Sequence, residues 1–483
     1  MRLPGPTRLS FVARCGPPCA LALAALLGVV PATAASGPRL IRQLAPGSAG
    51  VQPFSLYFTG VVGSAALFEA DAGNGLGPEL WRTDASAKGT TFVKDINPGA
   101  QGSSVDRIVN LGAVGFFEAT DADFGTELWR TDGSPHGTRL VKDINPSGAD
   151  SGAYPWGTMG GKLFFSASDG DLGGDHGNEL WATDGKPGGT KLVRDIAPGP
   201  TDSVINKLAS IGTKVLFLAN DGSGKGIQLF VSDGTRNGTK LLKVINQSGD
   251  VEGYPGAGPL PAVIGHTYFF GASDGVTGGG HGFELWRSDG TAGGTKLVKD
   301  INPGHTDTQM QWLQAVGSRL FFSAQTGKGT ELWVSDGTPG GTRLVKDINP
   351  GTGSSYPYLL GVVGTTLYFA ADDGTGNHGI ELWKSNGTAK GTRLVKDIEP
   401  GTGGSSPIDG VVIGTTLMFR AQTTAKGSEL WGTDGTKRGT RMVTDLAPGA
   451  AGSDPVAMGR LGSKLVFFAD DGVHGLEPWT YTP

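Results

Sequence analysis

Over most of the chain, apolar and polar positions alternate in short runs, and the same four runs keep returning. In YLLGVVGTTLYFAADDGTGNHGIELWKSNGTAKGTRLVKDIEPG (Tyr358 to Gly401) they are YLLGVV, TLYFAA, IELWKS and TRLVKDI, each bounded by Gly, Pro, Asn or Asp. Alternation of period two between such boundaries predicts β-strands, named a, b, c and d in chain order. No stretch of ten or more residues carries apolar positions at helical spacing, so the pattern predicts an all-β fold.

The triplet Glu-Leu-Trp of strand c sets the period. It begins at Glu79, Glu127, Glu179, Glu284, Glu331, Glu381 and Glu429, with a worn copy at Gln228 and Phe230 and a last one at Glu477-Pro478-Trp479, so successive copies lie 47 to 56 residues apart. Strands a and b are joined by little more than Val363-Gly364 or Ile413-Gly414, which predicts tight hairpins. Strands c and d are joined by Ser-Asp-Gly-Thr-x-x-Gly-Thr, as at Ser335 to Thr342, where Asp caps its own turn and Gly accepts positive φ. Four antiparallel strands alone leave both faces wet, and four strands per unit at this period is the pattern of propeller blades. Glu and Trp of strand c share one face, so each Trp is placed to fill the gap between blades. Eight of the ten tryptophans occupy that slot, read as core with sugar stacking as the alternative.

One strand is out of place. Strands a, b and c occur nine times, but only eight d strands follow a c strand; the ninth resembles RLIRQLAP, at Arg39 to Pro46, far ahead of its blade. A chain that begins with the outer strand of its last blade and ends one strand short shuts a ring and removes two sheet edges. The expectation is a β-propeller of four-stranded antiparallel blades, nine in number, with the last split between residues 38–47 and 451–483. Nine exceeds the usual range of about four to eight blades, so a smaller ring with stray units, a wide spiral and two part-rings stay open.

Composition narrows the setting. Arg2, Arg8 and Arg14, the apolar Cys19 to Val30 and Ala32-Thr33-Ala34 read as a secretory signal over residues 1–34, with an uncleaved anchor as the alternative, and leave one repeat domain over 35–483. That places the mature chain outside the cell or at its surface, or in the periplasm, with no membrane span. Both cysteines, Cys15 and Cys19, fall inside the signal, so the mature chain has no thiol for catalysis or metal binding and no disulfide. Loss of three arginines takes the formal charge from −5 to −8. Both signs are mixed along the chain, which gives no footprint for nucleic acid or anionic lipid. Glycine, 83 of 483 residues against a usual share of about 7%, marks turns in a chain so regularly apolar.

The stretches ELWRTDGSPHGTRLVKDINPSG from Glu127 and ELWVSDGTPGGTRLVKDINPGTGSS from Glu331 resemble the ELWxxDGT repeat of secreted bacterial proteins, notably myxobacterial ones. The resemblance runs from about residue 38 to 483. It implies export and a propeller-like repeat and brings no activity with it. Gln228 with Phe230, Ala85, Asn386 and Pro478 depart from the repeat.

Candidate chemistry concentrates on one face. The a–b and c–d turns hardly vary in length, whereas extra residues fall in b–c and d–a loops, and variable loops on a rigid scaffold carry binding. Aromatics outside the repeat (Tyr154, Trp156, Tyr254, Trp312 and Tyr356) lie at the entrance to strand a and are candidates for stacking on sugars or anchoring a protein; the alternative is that they pack loops onto the inner strands. Asp169, Asp171, Asp175 and Glu179 form a glycine-rich, oxygen-bearing loop that is a Ca²⁺ candidate, against the alternative that Asp and Gly shape a turn while Glu179 pairs with a base of strand d. His176, His281, His378 and His474 recur singly as His-Gly-x-Glu, a spacing of turn residues rather than of a zinc site. Nearly every Ser, Asp and Glu available for a catalytic set belongs to the repeat, so no asymmetric constellation stands out. The reading is a propeller scaffold that binds an extracellular protein or polysaccharide and is no enzyme. The alternatives are a hydrolase or lyase acting on polysaccharide at the channel mouth, or a purely structural surface protein; no cofactor beyond Ca²⁺ is implied.

Overall fold

Each repeat folds as read. In the computed structural model, which describes residues 37–47, 50–51, 57–170, 176–247, 249–251, 259–275 and 280–483, the chain makes nine four-stranded antiparallel sheets and no α-helix among the described residues. Blade 6 is representative: strand a is Gln311–Val316, b is Arg319–Thr326, c is Gly329–Ser335 and d is Arg343–Lys346. Innermost strands of successive blades touch in order, and the inner strand of blade 9 (Val456–Leu461) touches that of blade 1 (Tyr57–Val62). The molecule is therefore a nine-bladed ring.

The outer strand of blade 9 is Arg39–Leu40, paired antiparallel with Leu476–Tyr481, Arg39 opposite Thr480 and Leu40 opposite Trp479. Ile41 N donates to Pro478 O and Val51 N to Leu476 O. The two ends of the chain thus share one sheet.

Between blades, the cores follow the predicted Trp slot. Trp129 of blade 2 packs on Val62, Leu67, Leu80, Val93 and Ile96 of blade 1, and Trp81 of blade 1 packs with Phe468 of blade 9 across the seam. A cation at or just beyond the end of strand d seals most gaps from outside, though blade 8 has Thr444 at that position. Lys396 Nζ lies 5.5 Å from the Trp431 ring centre and donates to Thr440 O of the next blade, and Lys94 treats Trp129 and Thr138 O the same way. At the seam Arg42 donates to Thr90 O of blade 1.

The c–d turns repeat almost atom for atom. In blade 6 Asp336 Oδ1 accepts from Thr338 N and Oγ1, while Thr342 Oγ1 sits 2.7 Å from Ser335 Oγ and donates to Thr338 O. Gly337 holds φ of +85°, and a Cβ at Gly341 would run into the Asp336 carboxylate. Outer strands are shorter than the sequence predicts, at most four residues, because the chain beyond them bonds to a side chain instead of a strand. The Glu of the triplet is that side chain.

Candidate functional site

In eight blades the triplet Glu, and in blade 4 Gln228, points into the protein with 0–1% of its surface exposed. Glu331 Oε2 accepts from Ile348 N at 3.0 Å and from Ser355 Oγ at 2.7 Å, while Oε1 accepts from Asn349 N and Ser355 N. One carboxylate therefore ties strand d and the following d–a loop to the root of strand c, and no cation faces it. Glu179 likewise accepts from Ile196 N (2.8 Å) and Ala197 N (3.0 Å), and it forms no ion pair with a base among the described residues. Asp169, the other described member of that candidate set, accepts from His176 N through Oδ1 and lies 2.7 Å from His176 Nδ1 through Oδ2. Asp171 and Asp175 lie outside the described residues. The structure brings no Asp169–Glu179 pair together, and no cluster of three metal-ligating side chains occurs among the described residues.

The four histidines share one geometry. His176, His281, His378 and His474 each place Nδ1 2.7–2.9 Å from the Asp that opens their own loop. Three residues before the triplet Glu or Gln, the intervening blades carry Lys225, Lys328 and Lys426, and the last two pair with Asp347 and Asp445 of strand d. His and Lys thus alternate from blade 3 to blade 9, a two-blade pattern that the search for metal spacing passed over.

The aromatic candidates divide into two groups at the inner edge of the loop face. Trp156 meets Tyr154 edge-on at 4.7 Å and donates Nε1 to Ser166 Oγ, which is the packing alternative realised. Trp312 is different. A bulge between Gln311 and Gln314 puts it at φ +59°, and it stays 41% exposed against Tyr358, 4.8 Å away, beside a cavity of about 620 Å³ lined by Pro259, Leu260 and Leu313. Leu260 and Tyr356 are more exposed still, at 64% and 66%, and Tyr356 also has positive φ (+47°). The same left-handed backbone recurs at Lys207, Asp409 and Ala457 in the bulge and at Ser104, Val204, Ser406 and Asp454 in the d–a loops, so it belongs to the repeat, and residue size is what sets Trp312 and Tyr356 apart. Tyr254 lies outside the described residues.

Sequence reasoning missed the asymmetric residues because they hide inside the repeat. The strand-b position opposite the triplet Leu reads Glu69, Glu118, Ser166, Leu218, Gly271, Ser323, Ala370 and Arg420 in blades 1 to 8. Glu69 is buried and accepts from Val105 N. Desolvation pushes its carboxyl up to about 7, with Glu79 and Asp106 adding to the rise, and burial and Asp106 raise Glu118 as well. In blade 8 Arg420 pairs with Asp409 at 3.5 Å, and both charges act on the Tyr358 hydroxyl. A register count along strand b against the triplet would have exposed these positions.

No family model matches the chain, and no curated protein matches it. Among solved structures it superposes on a prolyl endopeptidase with a TM-score of 0.41 at 12% identity, over 76% of this chain and 55% of that one. A puromycin hydrolase gives 0.38 at 14% identity over 86% and 58%. The β-propeller domain of the Trilobed protease from Pyrococcus furiosus gives 0.34 at 11% identity over 71% and 98%. The chain spans little more than half the length of the first two, and at these values the likeness carries nothing about what it does.

Proposed function

We propose that the protein is exported and acts as a rigid scaffold that binds an extracellular protein or polysaccharide through the face built by its b–c and d–a loops. The observation that carries this reading is the pair of exposed aromatics on that face, Trp312 beside the cavity and against Tyr358, and Tyr356 at the next blade's entrance. Flat aromatic faces next to a polar pair such as Asp409–Arg420 suit a sugar ring or an amphipathic protein anchor. A glycan array and a pull-down with the purified protein test it. Binding to one ligand class that falls at least about tenfold in Trp312→Ala with Tyr356→Ala, at unchanged melting temperature, supports it, since hot-spot truncations cost about 2 kcal/mol or more. Polymer turnover abolished by Glu69→Gln or Glu118→Gln, with no stable partner, would overturn it in favour of an enzyme.

A further inference from the structure

Charges that alternate along the chain separate in space. The first residue of strand d, at its turn-face end, is an exposed base in eight blades: Arg39, Arg139, Lys191 and Lys240, and then Lys296, Arg343, Arg393 and Arg441. None of them forms an ion pair with any described residue. The c–d turns add exposed Lys88, Lys186, Arg236, Lys390, Lys437 and Arg438. Against these stand the turn aspartates such as Asp132 and Asp336, one in every c–d turn except that of blade 7, where Asn386 takes the place; their Oδ1 is occupied by the turn itself. At the opposite, loop-bearing face the exposed charges are mainly acids, among them Asp123, Asp150, Asp202, Asp307 and Asp454. The meander causes this: bases precede and open strand d, acids follow it, and every strand d runs the same way.

The turn face is not uniform. After the triplet Trp, Arg82, Arg130 and Lys384 reach a carbonyl in the next blade's turn, and strand-b Lys214 and Arg319 do so in blades 4 and 6, but blade 8 has Gly432 after its Trp and Thr416 at the start of strand b. Blade 9 offers no c–d turn, since its c and d strands come from opposite ends of the chain. Between these blades a cavity of about 340 Å³ is left, lined by Arg438, Arg441, Thr436 and Tyr481, with Asp434 at its wall.

We propose that the turn face is a second docking surface, which takes an acidic polysaccharide along the rim of bases and seats one of its carboxylate or sulfate groups in the cavity beside Arg438 and Arg441. One base per blade matches a polymer of repeating charge better than a single small anion, and arginine forks suit carboxylate and sulfate. The described large exposed apolar side chains (Phe124, Val204, Leu260, Trp312, Tyr356 and Val473) all belong to loops or entrances of the other face. The turn face therefore has no apolar wedge for a bilayer and no aromatic platform for bases of single-stranded nucleic acid.

Binding of the full chain to immobilised heparin and alginate, measured between low and physiological salt, tests the assignment. Expected are a steep loss of affinity with salt and a further loss of at least about tenfold in the combined variant Lys191→Glu, Lys240→Glu, Lys296→Glu and Arg393→Glu, because each phosphate-like contact removed lowers the ionic contribution. Arg438→Gln should weaken binding by itself, and Trp312→Ala should leave it intact. If the charge-reversed variant loses its melting transition, the neutral pair Lys191→Gln with Lys296→Gln replaces it. No retention at low salt, equal binding by the folded variants, or stronger binding to vesicles of anionic lipid or to DNA than to polysaccharide overturns the proposal.

Discussion

Gln228 occupies the slot that Glu fills in the other eight triplets, and the difference shows what the slot requires. Its Oε1 accepts from Ile245 N and Asn246 N, as the carboxylates do, while Nε2 donates to Lys225 O, Asn246 O and Gly249 O. An acceptor for two backbone donors is the requirement; the charge is not. Glu331→Ala leaves Ile348 N, Asn349 N and Ser355 without their acceptor and is expected to cost about 3 kcal/mol or more in chemical denaturation, whereas Glu284→Gln, with fewer donors to satisfy, should cost well under half of that. Charge enters through pH. Burial pushes Glu79, Glu127, Glu179 and Glu477 up to about 7 and Glu284 to about 8, from an ordinary 4.5, and neighbouring Asp95, Asp143, Asp195 and Asp300 add to the rise in their blades. A carboxyl raised in the folded chain stabilises it fully below its ordinary value and loses that contribution as pH climbs through the raised one. Melting temperature should therefore fall from pH 5 to pH 9, less steeply in Glu284→Gln; a flat profile would contradict the raised values. The turn aspartates, such as Asp336 and Asp434, are lowered by their hydroxyl and amide donors, so they act in the opposite sense and only in acid, below about 4.

At the scale of elements, five gaps between blades are bridged by a lysine of one blade lying over the indole of the next. Lys396→Met keeps the length of the side chain and removes both the ring contact at 5.5 Å and the bond to Thr440 O. The expected cost is about 1–2 kcal/mol, read as a shift in denaturation midpoint without a change in slope. Strand identity, the Trp slot and the c–d turn were legible in the sequence because each rests on a local rule: alternation, periodicity, and Asp-Gly turn chemistry. The short d strands were not, since TRLVKDI alternates to its end and only the buried Glu331-type carboxylate shows why pairing stops at Lys346. The bulge that exposes Trp312 was equally hidden. Its residues look like strand, and what distinguishes them from Trp156 is a left-handed backbone that no residue type announces. The Glu69 and Arg420 position was present in the letters, yet it takes strand register to see that they occupy one slot.

For the whole molecule, the ring was readable from a count of strands, and its closure from one misplaced outer strand, but charge segregation was not. A sum along the chain mixes signs that the direction of strand d then sorts to opposite faces. Removing residues 37–47 takes away the outer strand of blade 9 together with Leu44 N and Ala45 N, the donors to Glu477. The expected result is a melting temperature lower by many degrees or aggregation through the bared edge, seen by calorimetry and light scattering; an unchanged transition would refute closure.

That seam also sets an order of events. Eight sheets can form while the ribosome is still at work, because all four strands of each lie within one repeat. The ninth must wait: Leu44 and Glu477 are 433 positions apart, and their meeting carries the largest loop-closure entropy in the protein. Such distant pairing is the slow step of folding, so the newly made chain spends its first moments as an open crescent. Once joined, the same seam leaves no sheet edge at the join open to fray, so local opening at the chain ends requires the whole of blade 9 to come apart.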